Sequence, residues 1–144
     1  MIGSARLLRR DAAGAVTIEF ALLSTVFIGL LLGVLQVGIG MQSYNAVRNV
    51  SADVARYTMV QYETGNKLSN SQIQFYAISA AKSAPYLLQS DGVNAKVDQP
   101  ATQRVTGAKE LTLTMEYQIP SILQVIGVAM PKLSYEQPIF LITT

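Results

Sequence analysis

Charge and polarity divide this chain into three stretches. From Phe20 to Ile39 no residue is charged, and only Ser24, Thr25 and Gln36 are polar. At 1.5 Å rise per residue such a run makes about 30 Å of helix, the thickness of a bilayer's hydrocarbon core. Ser24 and Thr25 can return their hydroxyls to their own backbone, so the run predicts a membrane-spanning helix. From Met41 the pattern becomes one-sided. Met41, Tyr44, Val47, Val50, Val54, Tyr57 and Val60 recur every three or four positions, while Asn45, Arg48, Asn49, Asp53 and Arg56 occupy the other faces. Asp53 is within reach of Arg56 on the helix surface. No proline interrupts the run, and Gly65-Asn66 offers a C-terminal stop. Together they predict one helix over residues 15–64, about 75 Å long, with its transmembrane part near residues 18–40.

The third stretch, residues 65–144, predicts an α+β head. Ser69-Asn70-Ser71 is an N-cap cluster ahead of a shorter apolar face at Ile73, Tyr76, Ala77, Ala80, Ala81 and Ala84, which Pro85 ends. Asp91-Gly92 marks a turn, and Val93 to Val97 alternates weakly. Leu111 to Ile119 alternates apolar and polar without a break, the signature of a strand with one dry face. Lys132 to Thr143 predicts a third strand, where Pro138 demands an edge position or a bulge. The expected whole is a long N-terminal helix that continues into a small head with a second helix and a roughly three-stranded antiparallel sheet.

The N-terminal flank bears on processing and orientation. Arg6, Arg9 and Arg10, offset only by Asp11, precede the apolar run, and short basic flanks stay cytoplasmic. The head is then expected on the periplasmic or extracellular side. A cleavable signal peptide has an apolar region of about 7–15 residues followed by a small-residue site. The run here is longer and opens with an acid, Glu19; Gly38 and Gly40 offer only a weak conventional cleavage site. A carboxylate at the edge of a membrane helix costs a few kcal/mol near the core and less at the interface, so it calls for a partner.

The string Gly14-Ala15-Val16-Thr17-Ile18-Glu19-Phe20-Ala21-Leu22 resembles the processing site of type IV pilin-like precursors, and more narrowly that of the TadE-like minor pilins (pseudopilins) of tight-adherence pili. The resemblance implies a basic leader over residues 1–14, cut by a membrane-embedded prepilin peptidase between Gly14 and Ala15, with Glu19 as the fifth residue of the mature chain. It further implies a type IV pilin-like fold and a structural role in starting or capping a filament. The implied partners are other minor and major pilins in a heteromer, the inner-membrane pilus assembly platform and membrane lipid. The family's strand, proline-bounded apolar connection and final strand are also similar to the C-terminal region. One departure is Thr25, where the TadE-like pattern often has a helix-kinking proline.

The chemistry gives the site its own reason. Cleavage after Gly14 creates an ammonium on Ala15, and Glu19 lies about 6 Å further along the axis. A neighbouring subunit displaced axially by that distance can bring its terminal ammonium beside this carboxylate, so each charge offsets the other's burial. The alternatives are pairing within one chain and a lone Glu19 that reaches to the headgroups. Higher in the span, Gly29 and Gly33 form a small-xxx-small pair through which a second helix can approach. The connection Pro120–Pro131 is almost wholly apolar without strand alternation, which if exposed is an unusually large patch. Either Ile122, Leu123, Val125 and Ile126 contact another pilin or the headgroups, or the segment folds into a short helix that covers the sheet.

Composition removes other functions. The chain has 11 basic and 9 acidic residues. The leader holds three of the former and one of the latter, so the processed chain is neutral and nothing points to nucleic acid. There is no Cys, so disulfides do not hold the head, and no His, which removes Ser-His-Asp catalysis and most zinc sites. The remaining acids show neither a carboxylate pair nor calcium-loop spacing. No catalytic residue, metal or cofactor is therefore expected, and an enzyme is the least favoured class. The alternatives to a minor pilin are another pilin or secretion pseudopilin, and a membrane-anchored periplasmic binding module on an uncleaved anchor.

Overall fold

A computed structural model describes residues 12–142. One helix, α1 (Ala12–Glu63), runs unbroken for 52 residues, which is about 78 Å of axis. Its start precedes the expected cleavage point by three residues, and Thr25 bonds back to Ala21 without interrupting it. The basic leader upstream lies outside the described residues.

Helix α2 (Asn70–Lys82) starts where the N-cap cluster predicts. The Ser69 hydroxyl accepts from the Gln72 amide, and the Gln72 side chain accepts from the Ser69 amide, closing a capping box. Its buried residues, Ile73, Ala77 and Ala81, are small or slim, which lets α2 lie close to α1. Three antiparallel strands follow, β1 (Val93–Asp98), β2 (Ala108–Gln118) and β3 (Lys132–Ile142), in spatial order β1-β2-β3. The β2–β3 register runs from Ala108 opposite Ile142 to Gln118 opposite Lys132 without slipping. Pro138 sits opposite Thr112 on edge strand β3, so the proline is accommodated by the edge and no bulge is required.

The alternation in β2 decides which face of the sheet is dry. Leu111, Leu113, Met115 and Tyr117 point to one side and join Ala95, Val97, Ile139 and Leu141 in the core. The core is completed by Val47, Val50, Val54 and Ala55 of α1 and the apolar face of α2. Strand direction follows from this packing. β2 descends toward the middle of α1, so the turn between β2 and β3 and the segment between α2 and β1 share the end of the head nearer the apolar run. The loop 99–107 caps the opposite end.

The head-facing side of α1 differs from the expected stripe. Val47, Val50 and Val54 are buried, but Met41, Tyr44 and Val60 are 65%, 43% and 49% exposed. Their places are taken by Gln36, Ser43, Ser51 and Thr58, all buried. The reason is hydrogen-bonding capacity: the Ser51 and Thr58 hydroxyls donate to the Val47 and Val54 carbonyls at 2.7 and 2.8 Å, so each hides its polarity within the helix and packs as a small residue. Asp53 likewise turns from Arg56 to accept a hydrogen bond from the Tyr86 hydroxyl, which ties the segment after α2 to the stalk. That bond, more than burial, pushes the Tyr86 pKa up to about 12.

On the wet face of the sheet one acid is nevertheless buried. Glu110 accepts from the Arg104 side chain (Nε, 2.6 Å) and from the Arg104 amide (3.0 Å), while the guanidinium lies over the Phe140 ring. These bonds fold the loop 99–107 back over β2 and hold the Glu110 carboxyl below its ordinary pKa. The unfolded chain therefore binds this proton more readily than the folded one. Its contribution to stability is complete above the ordinary carboxylate pKa and is lost as pH falls through the lowered value. Denaturant titrations are expected to show head stability declining below about pH 4, and Glu110→Gln should remove that part of the decline. The stripe is testable separately. Leu113→Ala should cost about 2–5 kcal/mol, and Met41→Ala should fall within about 0.5 kcal/mol of the parent.

Candidate assembly site on the long helix

Apart from Glu19 and a few hydroxyls, the lower third of α1 is apolar on every face and exposed. Phe20, Leu22, Phe27, Leu30 and Val34 are all more than 60% exposed. Among the described residues α1 is the helix long and apolar enough to cross a membrane. The hydroxyls of Ser24 and Thr25 both donate to the Ala21 carbonyl, at 3.0 and 2.8 Å, so no hydroxyl on this stretch demands water. This surface suits lipid or other helices, and it makes α1 a candidate membrane anchor.

Gly14, Ala15 and Glu19 lie on this bare stretch, all exposed. Ala15 and Glu19 are one helical turn apart and share a face. No described residue forms an ion pair with Glu19; the ion pair among the described residues is Arg104–Glu110, at the far end of the head. Gly29 and Gly33 open the same stretch higher up. No atom outside the local helix lies within 4 Å of where a side chain would begin at either position, so within one chain that face is unfilled.

The apolar connection is not a loose loop. Residues Ile122–Ile126 form a 3₁₀ turn that ends at Gly127, whose φ of 81° is a conformation suited to glycine. The Ser121 hydroxyl donates to the Val128 carbonyl at 2.8 Å, and the Gln118 side chain donates to Met130 at 2.9 Å. The turn seats on α1 and leaves the sheet to α2 and the stalk, so it is a short helical turn with a different seat from the one expected. Ile122 remains 39% exposed and Leu123 is half-buried. The side chains of Val125 and Ile126 lie outside the described residues.

What seats the turn is Gln36, the one amide in the apolar run. Its Nε2 donates to the Pro120 carbonyl at 3.0 Å, and its Oε1 accepts from the Ile122 amide at 2.8 Å. The carboxamide thus pairs with two backbone groups as a neighbouring strand would, and it is only 3% exposed. Sequence reasoning registered Gln36 as polar but assigned it no partner. The available signal was a lone hydrogen-bonding side chain in a membrane-length run, which is costly unless something pairs with it.

Residues 14–56 match the model of the TadE-like protein family. This stretch of the chain is TadE-like. The match begins at Gly14, contains Glu19, Gly29, Gly33 and Gln36, and stops within α1. The TadE-like part is thus the anchor and lower stalk, and the sheet and α2 lie beyond it. The TadE-like family is a structural, pilus-associated family. Neither a curated protein nor a solved structure matches the chain.

Replacing Gln36 by Leu should leave the Pro120 carbonyl and the Ile122 amide unpaired, at a cost of about 1–3 kcal/mol. Hydrogen exchange at the Ile122 amide, read by mass spectrometry on the full chain in detergent, is expected to speed up in Gln36→Leu, while protection in β2 is kept.

Proposed function

We propose that this protein is a structural minor pilin of a tight-adherence pilus, cut by prepilin peptidase between Gly14 and Ala15 and active in pilus initiation and assembly. The observation that carries the reading is the placement of an exposed Glu19, with no ion-pair partner among the described residues, one turn above Ala15 near the foot of an unbroken helix. Cleavage places an ammonium at the helix terminus, and the Glu19 carboxylate of an axially shifted neighbour is its natural counter-ion. The unfilled face at Gly29 and Gly33 lets a second pilin helix come close. The chain sits in the bacterial inner membrane with its N-terminus cytoplasmic and its head periplasmic, and passes from there into the filament with other minor and major pilins.

The deciding measurement is the N-terminal sequence of the mature protein from its native cells. Ala15 as first residue is expected; an intact Met1 in a working protein refutes the processing, and a start near Met41 points to conventional signal cleavage. Glu19→Gln is expected to leave a folded, membrane-inserted chain that no longer captures its partner pilins. Unchanged assembly by this variant would refute the intersubunit pairing and leave the cleavage result standing.

A further inference from the structure

The membrane-facing end of the head carries apolar side chains that the core does not use. Leu87 is 70% exposed, Val128 is 44% exposed and Ile122 is 39% exposed. Leu87 is held at φ 49°, a conformation a leucine rarely adopts, in the turn between α2 and β1. It borders, with Ile39, Gln42 and Pro120, a cleft between that turn and α1. The two segments lie on the same end of the sheet, where β2 ends and β1 and β3 begin.

Gln36 sets the depth of this end. It pairs with Pro120 and Ile122 while standing within the charge-free stretch that runs from Phe20 to Val47. If Glu19 marks the inner boundary, about 30 Å of helix brings the outer boundary to Ile39, and Gln36 lies about 5 Å below it. A turn bonded to Gln36 then shares that depth. Apolar groups at an interface bury about 5–10 Å into the headgroup and acyl boundary, which is the reach this placement gives Ile122 and Val128.

We infer that the 119–131 connection and the Leu87 turn form a lipid-docking surface, which seats the head in the outer leaflet of the membrane that α1 spans. The lipid is favoured over a protein partner by continuity: the connection is bonded to the span itself, at a level where the rest of α1 meets acyl chains. Docking deepens the anchored-pilin reading and rests on it, since a head held at a fixed depth also fixes how far α1 projects below it. The surface is distinct from the Ala15–Glu19 site at the opposite end of the span.

The chain has no tryptophan, so single introduced indoles report without background. The full chain would be reconstituted in phosphatidylethanolamine–phosphatidylglycerol vesicles whose acyl chains carry bromine at shallow or deep positions. Val128→Trp and Leu87→Trp are the test variants. Leu31→Trp reports the span, and Thr102→Trp reports the far end of the head. Blue-shifted emission of both test variants, quenched most by shallow bromine, is expected, with Leu31→Trp quenched by deep bromine and Thr102→Trp by neither. Test variants that behave like Thr102→Trp beside a quenched Leu31→Trp overturn the docking and leave the anchor intact. An unquenched Leu31→Trp overturns the anchor and the docking together. A blue shift without quenching also overturns the docking, because the patch is then covered by protein, such as a second copy of the chain.

Discussion

A single helix that is bare along its lower part and enters a protein core higher up, without a break, has to satisfy two surroundings. Below Gln36 the side chains of α1, Glu19 and a few hydroxyls apart, are apolar and exposed in every direction. Above it only one face meets the head, and that face has to hide whatever polarity it carries. The chain solves this with residues whose hydrogen bonds close locally or onto backbone. Ser51 and Thr58 bond to the preceding turn, and Gln36 bonds to the connection between β2 and β3. The seam between stalk and head is therefore built from small and amide side chains interleaved with valines, and helix and sheet approach closely along it.

Gln36 is the point at which the two environments meet. It lies inside the apolar run, yet it is among the most buried residues of the chain, because the connection after β2 comes to it. An amide there fastens the head low on the stalk, while the sheet itself packs higher, against Val47 to Ala55. The head is thus held at two heights: a dry valine contact in the upper half of α1 and a polar contact at Gln36, near its middle. Tyr86 on Asp53 and the stacked rings of Tyr57 and Tyr76, 4.0 Å between centroids, add ties between the stalk and the α2 side of the head. None of these contacts involves the lower third of α1.

Much of the architecture follows from periodicity. The charge-free run, the capped second helix and the alternation in β2 are local signals, set by which neighbours a residue has in its own element. Pro138 on edge strand β3 belongs with them, since a missing amide donor constrains position directly. At the foot of the helix, Ala15 and Glu19 stand one turn apart by spacing alone, and no fold is needed to bring them together. The matched family segment covers this foot and the lower stalk and stops short of the sheet.

Residues whose role depends on a distant partner were not legible. Met41, Tyr44 and Val60 fit the apolar spacing but face away from the head, and Ser43, Ser51 and Thr58 face it, because side-chain polarity alone does not reveal a hydroxyl's bond to its own helix. Glu110 falls on the wet face by alternation and is buried only because Arg104 folds over it. From its sequence alone the chain determined its elements, their order and the charge at the helix foot, all products of short-range spacing. Which side of α1 faces the sheet, and that Gln36 catches the connection more than eighty residues away, was decided by tertiary packing, where long-range hydrogen bonds choose among faces that spacing leaves equivalent.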